Sequence, residues 1–360
     1  RLRALLFEAD VLRQLCARLR AAPTAGGLVP EYVAHGLVEA GRGETEVLLV
    51  MSKLEGEPLD QWLYGHGEES FKTGHPSLFL DGPLPGGRVS SRSLAAASAA
   101  AAGLLAQAAP VFAVLSKLAY HRDVSSHNIM VREGGGLEHF AIIDFGLAVP
   151  TRSWQQEWRI ENISGDPRYF APAAWLLLMN GPRCVESFPE PGMLQQYRAR
   201  LDHFATGLLS LEVLFALWRG PAVTGRWLAP AYTAWRTYWA EAIGLFQLFH
   251  TKGPATLRKE LLASAQFVPR LLGKIRALCE ALRGASAAEP ASPASPVLRA
   301  AADLVDWESS FSWEELADMF QAESACAERD AVSGTAPAVD VAPCNAPGDA
   351  PGDAPGDAPG

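Results

Sequence analysis

Two stretches decide how this chain is read: Tyr120-His121-Arg122-Asp123-Val124-Ser125-Ser126-His127-Asn128 and, a little further on, Ile142-Ile143-Asp144-Phe145-Gly146. Between them Ile129 to Arg132 and His139 to Ile143 are apolar and β-prone, joined by Gly134-Gly135-Gly136. That composition predicts two strands and a tight turn. Asn128 and Asp144 then stand at opposite ends of one hairpin, so an amide oxygen and a carboxylate can meet at a divalent cation, which needs hard oxygen ligands held rigidly. Asp123, five residues before Asn128, is placed to orient a hydroxyl and take its proton. Phosphoryl transfer from a nucleotide needs such a set, because charge develops on the moving group and metal ions must offset it.

Outward from this centre the pattern is mixed. Leu2, Leu5, Leu6, Ala9, Leu12, Leu15 and Leu19 recur at helical spacing, and the run ends at Pro23-Thr24-Ala25-Gly26-Gly27, an amphipathic helix followed by a breaker. Tyr32 to Val38 and Val47 to Met51 predict a first hairpin across Gly41-Arg42-Gly43. Residues 65–92 are rich in Gly, Ser and Pro and predict a surface insertion. Leu94 to Ser116 contains no charged residue. It is long enough to span a membrane, but its alanine content, Pro110 and the lack of aromatic belts and a basic flank favour a buried helix. From Leu201 the pattern is helical. After Arg283 the composition shifts, giving an expected linker at 284–297 and a short helical extension at 298–326 carrying Trp307 and Trp313, which are expected to cover an apolar face. The remainder, 327–360, ends in Ala-Pro-Gly-Asp repeats and is expected to be disordered.

On these residues the chain resembles the eukaryotic protein kinase family over roughly residues 4–250. Asp123 matches the catalytic aspartate of His-Arg-Asp, Asn128 the metal-binding asparagine, and Asp144-Phe145-Gly146 the metal-binding segment. Gly165-Asp166-Pro167-Arg168-Tyr169-Phe170-Ala171-Pro172 is similar to the substrate-docking loop, and Asp202 to Gly207 with Glu212 to the buried F helix, whose aspartate pins the catalytic loop. Leu48 to Leu54 resembles the strand and hinge beside the adenine, with Met51 as gatekeeper and Lys53 and Leu54 following; Met130 falls where an apolar side chain packs under the base. Glu8 and Leu12 fall on the equivalent of the C helix, and Leu12, His121, Phe145 and Asp202 on the stack aligning two lobes. The resemblance implies an α+β, two-lobed fold: an incomplete small lobe and hinge at 1–56, with the C helix and two strands only, and a mainly helical large lobe at 57–283. It implies ATP and Mg2+ as cofactors and a protein Ser/Thr hydroxyl as acceptor.

The pattern also departs from the family. No glycine-rich loop or strand lysine precedes Glu8, and the chain begins at Arg1, so a fragment or processed product that binds ATP poorly is expected. Ser125 stands where serine/threonine kinases carry a lysine on the γ-phosphate, and His127 stands four positions after Asp123, where many tyrosine kinases carry a basic residue. Asp166 replaces a threonine that bonds the catalytic aspartate, and its charge is expected to repel Asp123 and raise its proton affinity. Ala173 replaces a glutamate that pairs with a late arginine. Thr151, Ser153 and Ser164 lie in the equivalent of the activation segment, where Arg122 would partner a phosphate.

Bulk composition excludes some classes. A net charge of −9 argues against nucleic acid or an anionic membrane as main partner. Five scattered cysteines without metal or redox spacing read as free thiols of a reducing, intracellular compartment. Two other readings stay open: a pseudokinase or interaction scaffold, motivated by Ser125, Asp166 and Ala173, and a small-molecule phosphotransferase of kinase-like fold. Oligomeric state is not readable.

Overall fold

In the computed structural model the described residues are 2–20, 27–40, 44–65, 92–134, 137–159, 163–190, 192–218, 226–264 and 266–321. The amphipathic run becomes helix α1 (Leu2–Leu19), which buries Ala9, Val11, Leu12, Leu15 and Leu19. The first hairpin is an antiparallel pair, β1 (Tyr32–Ala40) and β2 (Glu44–Met51), with His35 opposite Leu49 and Leu37 opposite Val47. No third strand pairs with it among the described residues, and Val33, Leu37, Leu48, Val50 and Met51 stay exposed.

A short strand β3 (Glu57–Pro58) leads into helix α2 (Leu59–Tyr64). The insertion expected at 65–92 falls almost wholly outside the described residues. Helix α3 (Leu94–Leu115) is capped by Ser93, whose hydroxyl accepts the Ala96 N–H at 3.2 Å. It is long and apolar enough to cross a membrane by length and composition. Its Leu104, Leu105, Val111, Phe112 and Leu115 are buried against the helix and strand described next, so its apolar character is that of a core helix.

The second hairpin forms as predicted. After the two-residue strand β4 (Ala119–Tyr120) and a 3-10 turn at Ser126–Asn128, β5 (Ile129–Gly134) pairs antiparallel with β6 (Leu137–Ile142), and β3 adds to β5 as a third strand. Strand β7 (Val149–Pro150) pairs with β4 and opens helix α4 (Thr151–Glu157). Helices α5 (Pro172–Asn180), α6 (Pro182–Glu186) and α7 (Met193–Ala199) follow. Helix α8 (Leu201–Leu217) is buried on nearly every face, as a helix apolar all round must be. Helix α9 (Ala229–Ala263) breaks at Gly253, which precedes Pro254.

The C-terminal part differs from expectation. The stretch 284–297 is not a linker: helix α10 (Phe267–Ala288) runs into it and helix α11 (Ser295–Val305) starts within it. Nor is 298–326 a mere extension, because α11 packs on α8. The approach is close enough that a Cβ on Gly207 would lie 2.8 Å from Val305 Cγ2 and 2.9 Å from Leu304 Cβ. Alanine-rich composition had suggested loose chain, but small side chains are what allow two helix axes to come this near. Trp307 and Trp313 are buried as expected, Trp313 stacking on Phe112 at 4.6 Å and on His203 at 4.0 Å. One compact unit thus runs to Ala322. The tail expected to be disordered, 327–360, lies outside the described residues. The architecture is α+β with a mainly helical body.

Candidate active site

The site starts from Asp202 in the first turn of α8. Its two carboxylate oxygens accept the N–H groups of His121 and Arg122, both at 2.8 Å. Arg122 has φ +68, a left-handed conformation that costs a non-glycine residue of order 1–3 kcal/mol. Two charge-assisted hydrogen bonds hold it there. The same loop is fastened by the His121 ring. Its Nδ1 accepts the Asp123 N–H at 3.3 Å, its Nε2 reaches the Ile143 carbonyl at 3.2 Å, and it packs on Phe145 at 5.2 Å.

So placed, Asp123 has three hydrogen bonds around it. The Asn128 side-chain amide donates to its backbone carbonyl and to Oδ2, each at 2.9 Å. The Asp166 backbone N–H donates to Oδ1 at 3.0 Å. Burial pushes the Asp123 carboxyl up and the nearby Asp166 carboxylate adds to this, while the Asn128 and Asp166 hydrogen bonds work the other way. The raised proton affinity expected from sequence is there, but burial is its first cause and repulsion by Asp166 a lesser one.

Gly165 makes this approach possible. It has φ +103, and a Cβ there would stand 2.6 Å from the Arg122 carbonyl oxygen and 3.2 Å from Asp123 Oδ1. Gly165→Ala is therefore expected to destabilise the chain by about 1–3 kcal/mol, read as a lowered midpoint in urea unfolding. A midpoint equal to the parent's would mean that the loop relaxes freely.

On the other side, the Ile143 N–H bonds the Asn128 carbonyl at 3.0 Å, which carries Asp144 to the catalytic-loop end of the hairpin. Asp144 also has a left-handed backbone, φ +62, and its Oδ1 accepts the Gly146 N–H at 3.0 Å. Glu8 comes to the same place: its Oε2 lies 3.7 Å from where a Gly146 Cβ would be. Burial and then the Asp144 charge push the Glu8 carboxyl up. Among the described residues no group of three His, Cys, Asp or Glu side chains forms a metal cluster. The donor set still suits a hard cation that keeps water or phosphate ligands. Asn128 spends its N–H on Asp123, leaving its amide oxygen as acceptor, and the exposed Asp144 has a second carboxylate oxygen.

The buried cluster beneath Asp123 is where sequence reasoning missed most. Arg168 is fully buried, and Asp166 turns its carboxylate to it, with Nε–Oδ2 at 3.0 Å and Nη2–Oδ2 at 2.5 Å. Burial works to raise Asp166, but the Arg168 guanidinium outweighs it and holds the carboxyl below the usual range. Arg168 also donates to His127 Nε2 at 2.8 Å, so the imidazole proton sits on Nδ1, against the buried Asp60 at 2.5 Å. Next to Arg168, Tyr169 donates to the buried Glu212, and Tyr64 reaches the other Glu212 oxygen at 3.0 Å. The Tyr169 hydroxyl also accepts the Ser126 N–H at 3.2 Å, docking the loop after Gly165 onto the loop 121–128. Pro167 and Tyr169 lie in a 3-10 turn that Asp166 caps, its Oδ1 accepting the Arg168 N–H at 2.9 Å. The only hint in the sequence is the opposite charge of Asp166 and Arg168.

Several predicted residues are not brought to the site in the expected way. Ser125 is 1% exposed, and both His127 nitrogens face Asp60 and Arg168, so neither is offered as a free basic group in place of the missing lysine. The Arg122 guanidinium lies 4.6 Å over the buried Trp154 ring, an aromatic face where a phosphate had been expected. Thr151 bonds the Ser116 carbonyl at 2.9 Å. Met51 and Lys53 are exposed, and Leu54 and Met130 half-buried, Met130 pairing with Pro58 and Ala141 in the second sheet. Leu12 joins Phe145 in the core. No family model matches the chain, and no curated protein matches its sequence.

Proposed function

We propose that this chain carries the catalytic lobe of a protein kinase and transfers the γ-phosphoryl group of ATP to a protein Ser/Thr hydroxyl. One observation carries the reading: a half-buried Asp123 carboxylate is held by the Asn128 amide and the Asp166 N–H, and Asp144, on a strained left-handed backbone, closes the hairpin that Asn128 opens. Left-handed non-glycine residues persist where the surroundings over-determine them, and they concentrate at functional sites. Here Arg122 and Asp144 flank the two ends of one hairpin.

In this reading the Asn128 and Asp144 oxygens hold magnesium, which when bound offsets charge on the transferring phosphate. Asp123 orients the acceptor hydroxyl and takes its proton. The Asp166 N–H does what a threonine hydroxyl does in related enzymes, orienting the base. The loop Gly165–Tyr169, docked on Ser126 and Glu212, presents the peptide. The exposed apolar residues of β1 and β2 suit added strands of the kind that carry a glycine-rich loop and a lysine.

A second reading, an interaction scaffold of kinase shape, is favoured by the engagement of His127 with Asp60 and Arg168, the burial of Ser125 and the seating of the Arg122 guanidinium over Trp154, which turn all three from a γ-phosphate. Thermal unfolding with millimolar magnesium–ATP separates the two. A catalytic lobe is expected to be stabilised, by an amount following RT ln(1 + [L]/Kd), and Asp144→Asn to lose most of that gain. No shift in the parent chain would favour the scaffold.

A further inference from the structure

Away from this site, behind the catalytic loop, a cleft of about 700 Å3 opens between the start of α8, the N-terminal side of α7 and the loop 306–314. Its size is that of a small-molecule site, and its walls include Trp307, Phe311 and Trp313. Three lining side chains are nine-tenths or more buried: Arg200 and His203 at 8% exposed and Trp307 at 4%. Each has a nitrogen without a hydrogen-bond partner, namely Arg200 Nε, His203 Nδ1 and Trp307 Nε1. Native structures leave few buried polar atoms unpaired, and a group of three on one cleft is a specific anomaly.

The charge balance points the same way. Arg200 donates only to backbone carbonyls, those of Phe311 at 2.8 Å and Asp303 at 3.1 Å. The nearby carboxylates are bonded elsewhere: Asp303 and Asp306 to Arg283, and Glu315 to Ser312. On the rim Glu314 is bridged to Lys117 at 3.0 Å, leaving Glu308 as the acidic rim group. Arg200 thus feels the charges of Asp303, Asp306 and Glu315 through space but makes no hydrogen bond to any of them, so a direct charge-assisted contact from an oxyanion is still open to its Nε–H.

From this juxtaposition we propose that the cleft binds a small aryl carboxylate, its ring among Trp307, Phe311 and Trp313 and its carboxylate accepting from Arg200 Nε–H and Trp307 Nε1–H. These nitrogens are screened from solvent at rest, so seating the carboxylate requires the cleft wall to open over them. The class follows from acceptor demand and wall chemistry together: indole and phenyl faces stack on a flat ring, and two N–H donors ask for an oxyanion.

The test is isothermal titration calorimetry of the whole chain with 2-naphthoate and with the uncharged 2-acetonaphthone. Saturable 1:1 binding of naphthoate, at least tenfold tighter than the ketone, is expected, a factor typical of losing a hydrogen bond to a charged group. Arg200→Gln is expected to cut naphthoate affinity about tenfold. Because Arg200 also ties down Phe311, a second variant is needed: Gln195→Glu, on the exposed cleft wall of α7, which sets a repelling carboxylate in the cleft and is expected to weaken naphthoate several-fold with ketone binding and the circular dichroism spectrum unchanged. Absence of saturable naphthoate binding, equal affinity for the ketone, or undiminished naphthoate binding in folded Gln195→Glu would each overturn the proposal.

Discussion

Replacing Arg168 by alanine is expected to cost about 3–5 kcal/mol of folding stability, because it strands the buried Asp166 carboxylate without its counter-ion. It also empties the space between Tyr169 and Phe246, whose rings flank the guanidinium at 5.5 and 4.9 Å. A loss of that size consumes much of the stability of an ordinary domain. Arg168→Met with Asp166→Asn should recover a good part of it, since replacing both ends of a buried pair leaves no uncompensated charge. Urea unfolding of the single and double variants reads the difference directly, and a double variant as unstable as the single one would mean that the packing rather than the charge carries the effect.

The same pair has a signed pH dependence. The Asp166 carboxyl is held below its ordinary value of 3.8 in the folded chain. Its contribution is therefore fully present above the unfolded value and is lost as pH falls through the lower folded value. The stability gap between the parent chain and Asp166→Asn is expected to be constant at neutral pH and to close in the acid range below about pH 4.

The second large effect concerns Asp123. In the kinase reading, Asp123→Ala is expected to slow phosphoryl transfer from ATP to a protein substrate by about 10²–10⁴-fold, the usual worth of a positioned general base. Asp123→Asn is the sharper variant. It keeps the volume of the carboxylate, an acceptor for the Asp166 N–H and the Asn128 bond to the backbone carbonyl, giving up only the Asn128 bond to Oδ2, and it cannot take a proton. Because burial raises the Asp123 carboxyl, the acid limb of the parent's rate profile should lie above the ordinary carboxylate value of 3.8. Turnover unchanged in Asp123→Asn, measured with γ-labelled ATP, would remove Asp123 from the chemistry and the kinase assignment with it.

Much of the local structure was legible beforehand. Helical spacing of leucines gave α1, β-prone apolar runs joined by glycines gave both hairpins, and a stretch with no charge gave the core helix α3. Asp123, Asn128, Asp144 and Asp202 were named from two short segments and a helix, and the fold does bring Asp202 under the catalytic loop across 81 residues. Other roles were not legible. Trp154 under Arg122, Asp60 against His127, and Tyr64 on Glu212 are partners 32, 67 and 148 positions apart. No period or spacing links such pairs. The misread at 284–297 has the same origin: alanine and serine look like loose chain until a second helix supplies the surface they pack against.

What the sequence by itself determined was the set of local elements and the chemistry available, because periodicity, capping and turn residues act over a few neighbours. Only the tertiary structure decided how that chemistry is held. It gave Asp166 to Arg168 by its carboxylate and to Asp123 by its N–H, set the His127 nitrogens against Asp60 and Arg168, and left Arg200 bonded to backbone carbonyls rather than to a carboxylate. Each outcome depends on which distant side chain shares a buried, low-dielectric space. There an unpaired charge is costly, so partner choice follows from packing rather than from order along the chain.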